Sequence, residues 1–211
     1  MSGAVLICAA TRWEHAPLER RLAARATLLK TGMGARNAGR ALAGLEGPSR
    51  FQLVISSGFA GALQPGMRTG DIVADLQGAP IEILEAARQA ALERKTAVHY
   101  GKICHSDAVL GPQEKAALGR ERRAGAADME SRAIGQWAEG RGISFLAIRV
   151  VLDEVGDRLP PLPPSGEGIR DLAGYVFGNP AAWPLMVVTG FKQRKAVKSL
   201  ADFLETFLSS L

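Results

Sequence analysis

The stretch Phe145–Asp157, FLAIRVVLDEVGD, decides the fold. Apolar and β-branched residues dominate from Phe145 to Leu152, as expected of a strand buried on both faces at the centre of a sheet. At its carboxyl edge stands Asp153. Burying that acid costs desolvation energy unless function, or pairing with Arg149 or Arg158, offsets it.

Outward from this strand, short apolar runs alternate with longer helical periods. Further strands are expected at about Ala4–Ala10, Ala26–Lys30, Leu53–Ser57, Asp71–Asp75 and Val98–Cys104. Helices are expected at about Glu14–Ala24, Arg36–Leu45, Ile81–Arg94, Gln113–Leu118, Glu130–Glu139, Ile169–Val176 and Lys192–Leu208. Such alternation predicts an α/β fold on a central mixed, largely parallel sheet. A length of 211 residues suits one domain spanning 1–211. Four prolines in DRLPPLPPSGEG, Asp157–Gly168, forbid a continuous helix and predict a rigid loop, serving as a pocket lid or a spacer.

Net charge is +5, which suits an anionic partner without choosing one. Basic residues gather only in short clusters and only Phe191 adjoins one, so the stacking platforms of a nucleic-acid surface are missing. Cys8 and Cys104 sit in largely apolar runs and read as buried strand residues of a reducing compartment. With no cysteine or histidine cluster at zinc-finger spacing, no metal is expected. The apolar run Ala4–Ala10 is soon followed by Arg12 and Glu14, so neither a signal peptide nor a membrane span is expected, and the location is expected to be cytoplasmic.

Several strand ends carry polar groups. LLKTGMGARNAGRA places Gly32 and Gly34 between a strand and a helix, where backbone N–H groups could face an anion, although a plain turn reads equally well. Asn37 stands at the third glycine position of a dinucleotide fingerprint, so the stretch is a poor one. VISSGFAGALQPGMRTGDIV, with Ser57 and Gly58, reads as a second glycine turn after the next strand. GKICHSDAVLG adds His105, Ser106 and Asp107. GAADMESRAIG, Gly125–Gly135, adds Asp128, Met129 and Glu130, which read either as acidic helix-start chemistry or as groups facing a pocket. With Glu14 in AATRWEHAPL, three separated carboxyls, Glu14, Glu130 and Asp153, border a common sheet edge. Such a set suits glycosidic bond cleavage, whose oxocarbenium-like transition state needs an acid for the leaving group, an anion near the sugar and a positioned nucleophile.

In this order, TGMGARNA, SSGFAGALQPGMRTGDIV, HSDAVL, ADMES and IRVVLDEVGD resemble the purine nucleoside phosphorylase and nucleosidase superfamily, most closely its methylthioadenosine/S-adenosylhomocysteine nucleosidase and futalosine hydrolase branch. The resemblance runs from about Ala4 to Asp157 and implies a single-domain three-layer fold that needs no cofactor. It implies that Glu130 grips the ribose hydroxyls, that Met129 lines the sugar, that Asp153 protonates N7 of the departing purine and that Glu14 positions or activates water. Asp128 then supports the helix start or loop. Val109, with Leu110 following, stands where the nucleosidases stack a phenylalanine on the base. Gly32, Gly34, Ser57 and Gly58 belong to the loops that would hold the nucleophile or an anion. The family phosphorylases carry a phosphate-gripping arginine where this chain has Ser56, so water is the expected nucleophile and phosphate the alternative.

The run DxxxxRLPP, the short middle between Asp75 and Val98 and the tail NPAAWPLMVV resemble the hopanoid-biosynthesis-associated phosphorylase-like subfamily. That resemblance implies an adenine nucleoside linked to a lipid, adenosylhopane, cleaved to adenine and ribosylhopane. A soluble nucleoside of the methylthioadenosine or futalosine type is the alternative, and a non-catalytic nucleoside-binding module is the rival of another class. A homodimer is expected from the resemblance. AAWPLMVVTGF before the basic KQRKAVK could rest on the inner face of a membrane, or simply form a helix packed on the sheet.

Overall fold

A computed structural model describes residues 4–160 and 178–211. The expected helix Ile169–Val176 and most of the proline-rich loop Asp157–Gly168 lie outside the described residues. In chain order the strands are β1 (Ala4–Ala9), β2 (Thr27–Lys30), β3 (Phe51–Ala62), β4 (Ile72–Asp75), β5 (Val98–Tyr100), β6 (Ile103–His105), β7 (Ala126–Asp128) and β8 (Ser144–Asp153). The described helices are α1 (Arg12–Leu22), α2 (Ala35–Ala43), α3 (Ile81–Arg94), α4 (Pro112–Arg122), α5 (Ser131–Glu139) and α6 (Trp183–Ser209).

The sheet runs β2-β1-β3-β8-β4-β5, with β7 joined to the end of β3 and β6 to β7. β2, β1, β3 and β8 are parallel, whereas β4 is antiparallel to β8 and β7 is antiparallel to β3. The mixed, largely parallel sheet is thus as expected.

Side chains alternate across each strand, and the alternation sorts them into two layers. Ile7, Leu53, Ile55, Leu146, Ile148 and Val150 pack with α1, α3 and α6. Leu6, Cys8 and Val54 pack on the other face with Ala38 and Leu42 of α2 and Ile134 and Ala138 of α5. Strands buried on both sides explain why Phe145–Leu152 reads as an unbroken apolar run.

Four expectations need correction. The second glycine turn does not begin at Ser56: β3 continues through Ser57, Gly58 and Gly61 to Ala62, because β8 accompanies it to Gly61 and β7 pairs with Gly61 and Ala62. The single strand Val98–Cys104 is two. Gly101 N–H donates to Ala74 O and Ile103 N–H to the Asp75 carboxylate, and the chain there passes from β4 to β7 as its partner. β7 itself, three residues long and mostly alanine, carries too little periodicity to be read. Finally, α6 begins at Trp183 rather than Lys192, since Pro184 lies in its first turn, where the missing N–H costs nothing.

Candidate active site

Parallel strands deliver their carboxyl ends to one edge, and there the structure places a cavity of about 370 Å³. Glu14, Gly32, Val109, Leu110, Met129, Glu130 and Asp153 line it together. Gly34, Ser57 and Gly58 are not among its lining residues: Gly34 is engaged by Glu130, and Ser57 and Gly58 are buried within β3.

Glu14 arrives on the first turn of α1. Its Oε2 accepts from the N–H and Oγ1 of Thr11 at 2.7 Å each, a capping box that sets the helix start. Its Oε1 accepts from Phe59 N–H at 2.7 Å, across to β3. Gly58 makes this approach sterically feasible: at φ +135°, a Cβ there would lie 2.3 Å from Glu14 Oε1.

The loop after β2 also serves the site, but not as a free anion cradle. Gly32 N–H donates to Ala10 O, and Gly34 N–H donates to Glu130 Oε1 at 2.7 Å. Positive φ at both positions, 78° and 84°, explains the glycines. A carboxylate of the protein already occupies the donor that sequence reasoning left for a ligand.

Glu130 is the residue before α5, 6% exposed, with its Oε2 3.5 Å from Arg149 Nη2. Burial pushes its carboxyl above the ordinary range, and the guanidinium opposes this only in part. Asp128 is a support, as expected: it accepts from Ser131 N–H at 3.2 Å and pairs with Arg149 Nη2 at 2.5 Å. Arg149, 1% exposed, further donates to Ser57 O and to the Ser56 and Ser131 hydroxyls. Asp128, Glu130 and Glu14 together more than offset the desolvation of this guanidinium and hold it charged.

Asp153 ends β8. The register slips between Ala60 and Gly61, so that Gly61 faces Asp153 rather than Leu152, a bulge that re-aims the carboxyl at the strand end. Its partner is neither Arg149 nor Arg158. Lys115 Nζ, 1% exposed on α4, donates to Asp153 Oδ2 at 2.6 Å. Burial still pushes the Asp153 carboxyl up, with Lys115 pulling it back.

Sequence reasoning missed Lys115 because PQEKAALGRER reads as a solvated helix. Its one sequence signal is Gly119, a turn later on the same face, where a Cβ would sit 2.3 Å from Leu63 O. His105 bonds Asp107 at 2.8 Å and is not drawn into the cavity lining. Around the carboxyls the wall is apolar, from Trp13, Met33, Phe59, Val109, Leu110 and Leu159.

The architecture is that of the nucleoside phosphorylases and nucleosidases. Residues 78–163 match the model of the Phosphorylase superfamily. Futalosine hydrolase of Helicobacter pylori superposes with a TM-score of 0.72 at 14% identity, over 99% of this chain and 98% of that one. The 5′-methylthioadenosine/S-adenosylhomocysteine nucleosidase of Neisseria meningitidis, in complex with methylthio-immucillin-A, gives 0.73 at 19% identity over 99% of each chain. S-adenosylhomocysteine nucleosidase of Streptococcus pyogenes, with 5-methylthiotubericidin, gives 0.72 at 19% over 100% and 98%. No curated protein matches the chain.

Proposed function

We propose that the protein is a nucleosidase that cleaves the N-ribosidic bond of an adenine nucleoside with water. The observation that carries this reading is the convergence of Glu14, Glu130 and Asp153 on one largely apolar cavity. Glu130 accepts hydrogen bonds from the ribose hydroxyls. Asp153 gives its proton to N7 as the bond from C1′ to N9 breaks and its electron pair passes to the base, which leaves neutral. Water adds to C1′ and yields its proton to Glu14; exchange with solvent restores both carboxyls. Met129 borders the sugar, and Val109 and Leu110 offer an apolar wall to the base in place of an aromatic stack.

Water is preferred over phosphate on a specific ground. Arg149, the buried guanidinium nearest Ser56, is committed to Asp128, Ser56, Ser57 and Ser131.

The favoured substrate is adenosylhopane. Trp13, Met33 and Leu159 would suit an apolar ribose substituent, and α6 exposes Val187, Val188 and Phe191 just before Lys192 and Gln193, the latter at the cavity. That exposed face supports contact with an inner membrane leaflet by an otherwise cytoplasmic homodimer. No described helix is long and apolar enough to cross a membrane. A methylthioadenosine- or futalosine-type nucleoside is the second reading, favoured by the structural likeness to a futalosine hydrolase and a 5′-methylthioadenosine/S-adenosylhomocysteine nucleosidase.

Adenine release from adenosylhopane in detergent and phosphate-free buffer tests the proposal. Asp153→Asn should lower turnover by about 10²–10⁴-fold while weakening a ribose-containing inhibitor far less. Binding without cleavage would instead mark a nucleoside-binding module.

A further inference from the structure

A buried ammonium is costly unless all three of its donors are used. Lys115 Nζ uses them on Asp153 Oδ2 at 2.6 Å, Glu154 O at 2.6 Å and Asp157 O at 2.9 Å. The carboxylate and the turn that follows it are thereby tied to α4, and Gly119 gives that helix its close approach. Stability alone is a weak reason for such a group, because buried ion pairs seldom outperform apolar packing. The geometry is also asymmetric. Lys115 takes Oδ2, whereas no described residue donates a hydrogen bond to Oδ1; Asp153 itself is a lining residue of the cavity.

We propose that Lys115 is a positioning residue of the cleavage reaction: it holds Asp153 by Oδ2 and stabilises the carboxylate that forms as the proton leaves for the base. The inference rests on the nucleosidase reading. When the Asp153 proton passes to N7, a negative charge appears 2.6 Å from a fixed ammonium, an interaction stronger in the transition state than in the ground state. Lys115 thus makes Asp153 a stronger acid while reducing the fraction protonated at neutral pH. The other described charges around Asp153 are Asp157, which opposes ionisation, and Lys192 of α6, which favours it and is paired with Asp157.

The test is the pH dependence of kcat/KM for wild type, Lys115→Met and Lys115→Gln on whichever adenine nucleoside the wild type cleaves. Both variants should lose about tenfold or more of the acid-side plateau, and their basic limb should move to higher pH by about one unit or more. Glutamine keeps a hydrogen-bond donor without the charge, so the same shift in that variant assigns the effect to the ammonium. A lowered plateau with an unmoved limb in the folded variants overturns the inference and leaves the nucleosidase reading standing. Absence of cleavage by the wild type overturns both. If Lys115→Met fails to fold, Lys115→Gln alone decides, supported by the ¹³C titration of the Asp153 carboxyl, which should move up relative to wild type.

Discussion

Gly58 shows how closely the site depends on single atoms. A methyl group at this position would meet Glu14 Oε1 at 2.3 Å and Arg149 Nη1 at 2.9 Å, on a backbone at φ +135° that side chains rarely adopt. Neither neighbour can yield freely, because Glu14 is held by Thr11 and Phe59 and Arg149 by four groups. Gly58→Ala should therefore cost about 1–3 kcal/mol of stability and, by displacing Glu14, about 10²-fold in turnover. Urea unfolding and steady-state adenine release measure the two separately. Stability loss with unchanged turnover would remove Glu14 from the mechanism.

Among the elements, α6 carries much of the fold. Ala196, Leu200, Phe203, Leu204 and Phe207 are buried against α1, α3 and the sheet, with the Phe203 and Phe207 rings stacked at 6.1 Å. Beside this face, Arg21 of α1 forms ion pairs with Asp202 and Glu205 at a partly exposed rim. Burial should outweigh charge. Leu200→Ala is expected to cost about 2–5 kcal/mol and Arg21→Ala no more than about 1 kcal/mol, as read from denaturant midpoints. The reverse order would mean that the rim pairs, not the core, seat the helix. α6 also shows where sequence periodicity stops short. Lys192–Leu208 repeats as a helix should, whereas Trp183–Phe191 is apolar at nearly every position and exposes Val187, Val188 and Phe191, so no polar face marks it as a helix.

For the molecule as a whole, function and stability oppose each other at Glu130. Its carboxyl is raised by burial, so the folded state holds this proton longer than the unfolded chain does. At pH below the ordinary glutamate range both states are protonated and no penalty exists. As pH rises from that range through the raised folded value, the unfolded state ionises first and stability is lost. Glu130→Gln should accordingly match wild type in acid and become increasingly the more stable of the two toward neutral pH, while riboside binding and turnover fall. Urea unfolding across pH checks the sign; a variant destabilised equally at every pH would show that hydrogen bonding to Gly34, not charge burial, dominates. The trade is typical of sites that keep a charge for chemistry at a cost to the fold.

Most of the element order, the two-faced burial of β8, the helix Ile81–Arg94 and the acid that closes β8 were legible in the linear sequence, since each rests on local periodicity or on Asp153 ending an apolar run; Glu14 and Glu130 were legible only as acids near helix starts. What only the tertiary structure decided are the pairings. Lys115 and Asp153 are 38 residues apart, and Gly34 and Glu130 are 96 apart. The bulge that sets Asp153 opposite Gly61 depends on register between two strands, and Ser56–Ala62 is strand rather than turn because neighbours on both sides claim its backbone. Local propensity records none of this. Which buried charge meets which partner is a property of packed layers, where desolvation leaves no charge affordable alone.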